Sequence, residues 1–383
     1  MASAGHRRRF LQAGLAAALA GSGGAAIRAS ECGWPAWRSF ASRFLQGDRI
    51  VDPSSAQAVT VSEGQAYALF FALVAGDREG FERILRWTED NLAGGDLSLR
   101  LPAWQWGRRE DGSYGVLDAN SASDADLWLT YALGEAGRLW RERRYLALSS
   151  LLAERVMREE TALLPGLGRT LLPGARGFAS AGRWRLNPCY GPPFLLRWLA
   201  VRSGDVRWAQ LRDSNLRVLQ ESAPGGLAPD WVWYHGDAGR AGFDTRPTGA
   251  EDRTASYDAV RVYLWLGLTA AEDPARAPLL RHFEPMAELV ERGGVPPLTV
   301  DVVAGTAHGT GPSGFSAALQ PFLEALGRQA AARAQARRLL EQPPPEDAYY
   351  EQALSLFAAG WRERRYAFAP DGSLLTAWRG CSR

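Results

Sequence analysis

The residues best suited to chemistry in this chain are acids placed at the heads of apolar stretches. In "TVSEGQAYALFFALVAGD", which begins at Thr60, Glu63 precedes an unbroken run of Ala, Leu, Phe and Val that reads as a buried helix. Ser62 with Gln65 three places later fits a capping box, which would set Glu63 in the first turn. The helix dipole favours an ionised acid there, so Glu63 by itself could be a surface residue matched to the dipole. A general acid needs the opposite treatment, from burial or a neighbouring carboxylate, and so needs a partner. "NSASDADLWLTYALGEAGRLW" places Asp124 and Asp126 at a second helix start. Residues two apart point about 200° from each other around the axis, so one can face a cleft and the other is expected at the surface. "TASYDAVRVYLWLGL" carries Asp258 inside an aromatic, apolar helix, with Arg261 one turn on at the spacing of an ordinary ion pair.

Positioning these acids falls to helices. Apolar residues recur at three and four positions near 34–46, 62–75, 77–93, 122–140, 143–158, 189–203, 205–220, 254–271, 275–292, 313–326, 328–341 and 346–361. Strand alternation is scarce. Short breaks such as "AGD" at Ala75–Asp77 and "SGD" at Ser203–Asp205 favour antiparallel hairpins, while long Gly-, Pro- and Trp-bearing loops span about 94–120, 161–188 and 222–253. Tight turns at one end and long loops at the other predict an all-α toroid of helical hairpins with a cleft at one mouth. The rival arrangement is two helical domains, but no low-complexity linker separates two cores.

Composition narrows the function. The 44 basic and 42 acidic residues nearly cancel, which gives no reason to expect a nucleic-acid partner. Every basic residue other than histidine is arginine. The 15 tryptophans and 11 tyrosines supply flat amphipathic rings that fill cores and also stack on sugar faces. The first 29 residues read as a bacterial export signal: "HRRRFLQAGLAAALAGSGGAA" has an arginine head, a short apolar run and a small-residue tail. Arg7-Arg8-Arg9-Phe10-Leu11-Gln12 resembles a twin-arginine pattern, with an ordinary secretory signal as the alternative. The expected destination is the periplasm or the medium, with residues 30–383 as one domain and no membrane anchor after cleavage. Cys32 and Cys381 could bridge the mature ends, leaving Cys189 over. His6, His235, His282 and His308 lack ligand spacing, so no metal is expected.

These stretches together resemble glycoside hydrolase family 8. Ala122-Ser-Asp-Ala-Asp126 through Ala136 to Trp140 follows the family signature, departing at Leu129 and Thr130. The likeness continues through "SEGQAY", "LPAWQWG", "LDANSASDADLW", "PGLG", "NPCYGPP", "PDWV", "SYDAVRVYLW" and "GFSAAL", and so covers almost the whole mature chain. Within the family it most resembles the periplasmic cellulases encoded with bacterial cellulose synthases.

The resemblance implies an (α/α)6 barrel that hydrolyses β-1,4-glucan with inversion and without a cofactor. It makes Glu63 the general acid, Asp258 the general base and Asp124 a third carboxylate holding the sugar at the cleavage point. Trp106, Trp184 and Tyr190 would line the cleft, Tyr257 and Arg261 would flank the base, and Tyr349 or Tyr350 would reach the cleavage point. A cellulose chain is the expected partner, with a cellulose synthase complex as a further one. The same fold acting on xylan or chitosan, or a glucan-binding component without catalysis, are the alternative readings.

Overall fold

The structure, a computed structural model, describes residues 33–237, 239 and 241–380. The stretch expected to be an export signal, Cys32 and Cys381 lie outside the described residues, and Cys189 is a free, buried thiol. Thirteen α-helices run through the described residues: α1 (Pro35–Phe44), α2 (Ser62–Ala75), α3 (Arg78–Leu92), α4 (Ser123–Trp140), α5 (Arg143–Glu159), α6 (Pro193–Arg202), α7 (Val206–Glu221), α8 (Ala259–Leu268), α9 (Arg276–His282), α10 (Glu284–Gly293), α11 (Ser313–Ala325), α12 (Gln329–Glu341) and α13 (Tyr349–Arg362).

Two kinds of sequence sort these helices into two rings. α2 and α8 bury nearly every residue, as apolar all-round helices must. α3 buries Gly80 and the stripe Phe81, Ile84, Leu85, Thr88 and Leu92 and gives its charged side to water. The inner ring is α2, α4, α6, α8, α11 and α13, each packed on the next. Rings close the circle, because Phe357 of α13 touches Tyr67, Phe70 and Phe71 of α2. The outer helices α3, α5, α7 and α12 pack back on their inner partners, as α9 does on α8. The sixth outer position is taken by α1, which packs on α13 and so joins the two ends of the chain. This is an (α/α)6 barrel. Where α8 meets α11 the backbones approach so closely that a Cβ at Gly267 would strike Pro321 and Phe322.

Aromatic rings plug the barrel axis. Phe357 also meets Trp128 of α4 and Trp265 of α8, each with ring centroids 5.2 Å away. Phe194 stacks at 3.9 Å on Phe368, which belongs to a hairpin of Tyr366–Phe368 and Leu374–Thr376 that floors the tight-turn end. Buried Glu135 ties this floor down, accepting from Trp198 Nε1 at 2.7 Å and from the Leu374 amide at 2.7 Å. Because Phe357 is wholly buried among rings of three other inner helices, Phe357→Ala is expected to cost about 3–5 kcal/mol of stability, measured by urea unfolding.

The turns decide which mouth can carry a site. α2 to α3, α4 to α5, α6 to α7 and α11 to α12 are joined by a few residues, and Asp77, Glu142 and Asp205 cap α3, α5 and α7 with their own carboxylates. Every long connection runs from an outer helix to the next inner one, so all gather at the mouth where the inner helices begin. None of the six inner helices receives a cap from its own N-cap side chain. Their positive ends therefore open on that mouth.

Several expectations need correcting. The long loops carry short antiparallel strands, among them Gln105–Arg108 with Tyr114–Asp118 and Arg183–Leu186 with Val232–His235. They are too short and too mixed in polarity to register as alternation. The segment read as 254–271 begins as a strand, Thr254–Ala255, paired with Val300 and Asp301, and turns helical only at Ala259. The segment at 275–292 is two helices parted at Phe283, just before Pro285. The capping box at Ser62 does not form: Val61 is the N-cap, and Gln65 instead bonds the Ile50 amide at 2.6 Å and Thr88 Oγ1 at 2.9 Å.

Candidate active site

Three inner helices deliver their acids to one guanidinium. Glu63 is the second residue of α2, Asp124 the second of α4, and Asp258 the residue immediately before α8. Arg261, buried in the first turn of α8, donates from Nη1 to Glu63 Oε1 and to Asp124 Oδ2 at 2.9 Å, and from Nη2 to Asp258 Oδ1 at 2.6 Å. The expected pairing of Arg261 with Asp258 alone is thus a four-membered cluster. Glu63 and Asp258 occupy different terminal nitrogens, so their nearest oxygens lie within roughly 8 Å of each other, two hydrogen bonds and the width of the fork.

The surroundings set the charge. Burial, then the nearby Glu63, pushes the Asp124 carboxyl up to about 7, against the downward pull of Arg261. Near neutrality Asp124 therefore exchanges between its charged and neutral forms. Tyr67, one turn beyond Glu63 on α2, donates to Glu63 Oε1 at 2.5 Å, and Arg261 Nη1 donates to the Tyr67 oxygen at 3.3 Å. Side-chain exposure is 22% for Glu63, 29% for Asp258 and 6% for Asp124, which leaves the first two accessible from the mouth and seats the third beneath them. Two partly exposed carboxylates on facing helices can carry out acid and base work on a ligand between them.

The other anticipated residues divide. Tyr190 lies under the guanidinium, its ring centre 5.6 Å from Arg261 Cζ. Tyr350 donates to the Tyr257 carbonyl at 2.5 Å and packs near the Tyr257 ring, which is half exposed at the mouth. Tyr349 turns inward beside Gly64, Phe40 and Phe44. Trp106 stands in the sheet leading into α2, stacked on Tyr114 at 5.3 Å and beneath Arg49. Trp184 is not brought to the cluster. It pairs with Tyr234 across the sheet and packs on the satellite core of Leu164, Leu167 and Leu186. The opposite face of that sheet carries Arg185, Trp231 and Trp233, and Trp231 reaches Tyr190 edge-on at 5.9 Å and lies parallel to Phe178. Strand parity puts Trp231 on the cluster side and Trp184 on the other.

Asp126, expected at the surface, is fully buried behind Asp124 and faces Glu160, which is also fully buried. Two such acids in contact hold a proton between them, and Ser121 donates to Glu160 Oε1 at 2.5 Å. Burial first, then Glu160, pushes the Asp126 carboxyl far up, and burial raises Glu160 to about 8. A carboxyl raised on folding stabilises the protein below its unfolded value and loses that contribution as pH climbs to the folded one. Asp126→Asn replaces the shared proton with an amide donor. It is expected to remove about 1 kcal/mol per pH unit of the stability loss between pH 5 and 8, read as a flatter melting profile.

Asp230 and Tyr67 escaped the sequence reading as site residues. Asp230 Oδ1 accepts from the Ser256 amide at 2.8 Å and the Ala259 amide at 2.7 Å, and burial raises its carboxyl to about 6. Tyr67 carried a usable signal, since a residue four after Glu63 shares its helix face; Asp230 lies in the "PDWV" stretch of the family likeness, but nothing local ties it to the turn before α8. Among the described residues no group of three or more His, Cys, Asp or Glu is arranged to hold a metal ion.

Known proteins carry the same arrangement of sequence and fold. The model for glycosyl hydrolases family 8 matches residues 12–364. The chain is 48% identical over 348 residues to an endoglucanase of Salmonella typhi, spanning 91% of this chain and 92% of that one. It is 46% identical over 380 residues to an endoglucanase of Xanthomonas axonopodis pv. citri, spanning 97% of each. An endo-1,4-D-glucanase structure from Vibrio fischeri ES114 superposes with a TM-score of 0.82 at 40% identity, over 90% of this chain and 99% of that one. A cold-adapted family 8 xylanase, at 14% identity, shares the fold with a TM-score of 0.65. The match to the family model over most of the chain, together with relatives near half identity along nearly their full length, makes this protein a member of glycosyl hydrolase family 8.

Proposed function

We propose that this hydrolase is an endo-acting β-1,4-glucanase that inverts the anomeric carbon, with Glu63 as acid, Asp258 as base and Asp124 holding the sugar between them. The observation that carries the reading is the placement of Glu63 and Asp258 on separate helices across one arginine. Glu63 protonates the departing glycosidic oxygen as the bond to the anomeric carbon breaks. Asp258 takes a proton from a water that attacks that carbon from the opposite face. Inversion needs room for this water, about 6.5–9.5 Å between carboxyl groups; an upper limit of roughly 8 Å between the nearest oxygens admits that spacing and the shorter one of a retaining pair, so the product anomer decides. The relatives named endoglucanases support β-1,4-glucan as the substrate class, and the rings of Tyr190, Trp231 and Trp106 suit a chain of sugars.

The arginine-headed leader supports export to the periplasm, where trimming cellulose during its synthesis and secretion is the proposed role. Among the described residues no helix is long and apolar enough to cross a membrane. Reporter fusions with Arg7 and Arg8 replaced by Lys would stay in the cytoplasm if the twin-arginine route is used.

The deciding experiment measures reducing-end release by the mature protein from carboxymethylcellulose, xylan and chitosan, with the first-formed anomer followed by NMR. Cleavage of the glucan to the α-anomer supports the whole reading. Preference for xylan or chitosan moves the substrate class, a β-anomer overturns inversion, and tight cellooligosaccharide binding without turnover makes the protein a binding component.

A further inference from the structure

Asp258 stands just before α8 with backbone angles that are already helical, φ −79° and ψ −50°, unlike the extended backbone from which an aspartate caps its own helix. It makes no capping bond, and gives Oδ1 to Arg261. The turn is held from another segment: Asp230 Oδ1 accepts from both the Ser256 and Ala259 amides, one on each side of Asp258. The Asp230 amide also donates to the Thr254 carbonyl at 2.9 Å, so its own backbone is docked on the same turn. The far side is held by Tyr350, bonded to the Tyr257 carbonyl, and by Ser256 Oγ, bonded to the Leu298 carbonyl at 2.8 Å.

We propose that Asp230 is a positioning residue that pins the turn carrying Asp258, through the Ser256 and Ala259 amides on either side of it, so that the Asp258 carboxylate is held facing the cleft as base. The inference rests on the reading of Asp258 given above. Only an acceptor at Oδ1 is required, so an amide side chain at the same place does the work as well as a carboxylate. Without the acceptor, the Ser256 and Ala259 amides on either side of Asp258 lose their common partner, the turn is no longer pinned, and the Asp258 carboxylate drifts from Arg261.

Three variants test this. In Asp230→Ala, kcat on a soluble β-1,4-glucan is expected to fall about 100-fold, the cost of a base displaced by an ångström or so. KM should stay within about threefold, since the sugar-binding rings are untouched. Asp230→Asn should keep kcat within about threefold of wild type, because its carbonyl still accepts both amides. If Asp230→Ala melts below the assay temperature, Asp230→Ser, with an oxygen too short to reach, takes its place with the same expectations. A crystal structure of the truncated variant supplies a readout independent of turnover: with the Ser256 and Ala259 amides unpaired, the turn should shift and carry the Asp258 carboxylate off Arg261 Nη2. The proposal is overturned if a folded Asp230→Ala keeps wild-type kcat, if Asp230→Asn is as damaged as Asp230→Ala, or if Asp258 remains on Arg261 in that crystal. A wild type inert on every glycan would sink the assignment of function while leaving the crystallographic test intact.

Discussion

Glu63→Gln and Asp258→Asn are each expected to lower kcat on carboxymethylcellulose by about 10^2- to 10^4-fold, the full range of a lost acid or base, with folding intact. Folding should survive because both amides keep an oxygen to accept from Arg261, and in Glu63→Gln that oxygen can also accept from Tyr67. Circular dichroism and melting temperature check that half of the expectation. The two roles separate on substrates with different leaving groups. An aryl cellobioside whose phenol leaves without protonation should recover most of the Glu63→Gln loss and little of the Asp258→Asn loss. Equal recovery in both would break the assignment of acid to Glu63 and base to Asp258.

Arg261→Ala should be the most damaging single change to stability at the site. The guanidinium is 3% exposed and is shared by three carboxylates, so its removal leaves buried negative charge without compensation, a cost of about 3–5 kcal/mol near neutral pH. The deficit has a sign with pH. Asp124 is already raised to about 7 in the folded protein, and Arg261 is the group pulling it down. Without Arg261 it rises further, so the protonated form gains weight and the deficit should shrink as pH falls from 7 toward 4. Urea unfolding at pH 5 and 7.5 measures this; a deficit equal at both values would show that packing, and not charge, carries the loss. Arg261→Lys should recover little, since one ammonium cannot span two nitrogens' worth of partners.

Much of this was legible in the sequence, and what was missed has a common cause. Periodicity located every helical segment because burial on one side leaves a 3.6-residue imprint, and the inner helix α2 was read to its last residue by its lack of polar positions. Glu63, Asp124, Asp258 and Arg261 do meet, though spacing alone offered Asp258 and Arg261 only as a local pair. Asp126 was misread because its partner, Glu160, comes from the end of α5, and no local pattern announces a tertiary acid pair. Trp184 was expected at the cleft and Trp231 passed over for a similar reason: which side of a four-residue strand faces a cleft is fixed by its neighbours across the sheet. Asp230 shows the limit most plainly. It pins the turn before a helix that begins nearly thirty residues later in the chain, and a capping rule that looks only at adjacent residues cannot see it.

The pairing of α1 with α13 has a consequence for the order in which the molecule is made. Five of the six outer positions are filled by a neighbour in sequence, and such local hairpins can form as soon as they emerge. The sixth needs partners from opposite ends of the chain, Phe40 and Phe44 against Tyr349. A ribosome must therefore release almost the entire polypeptide before the circle can shut. Ring closure, a loop of some three hundred residues with its entropy to overcome, should be the slow step of refolding. Until it happens, the acid-bearing turn lacks Tyr349, which packs beside Gly64, so hydrolytic competence should be the last property the nascent chain acquires.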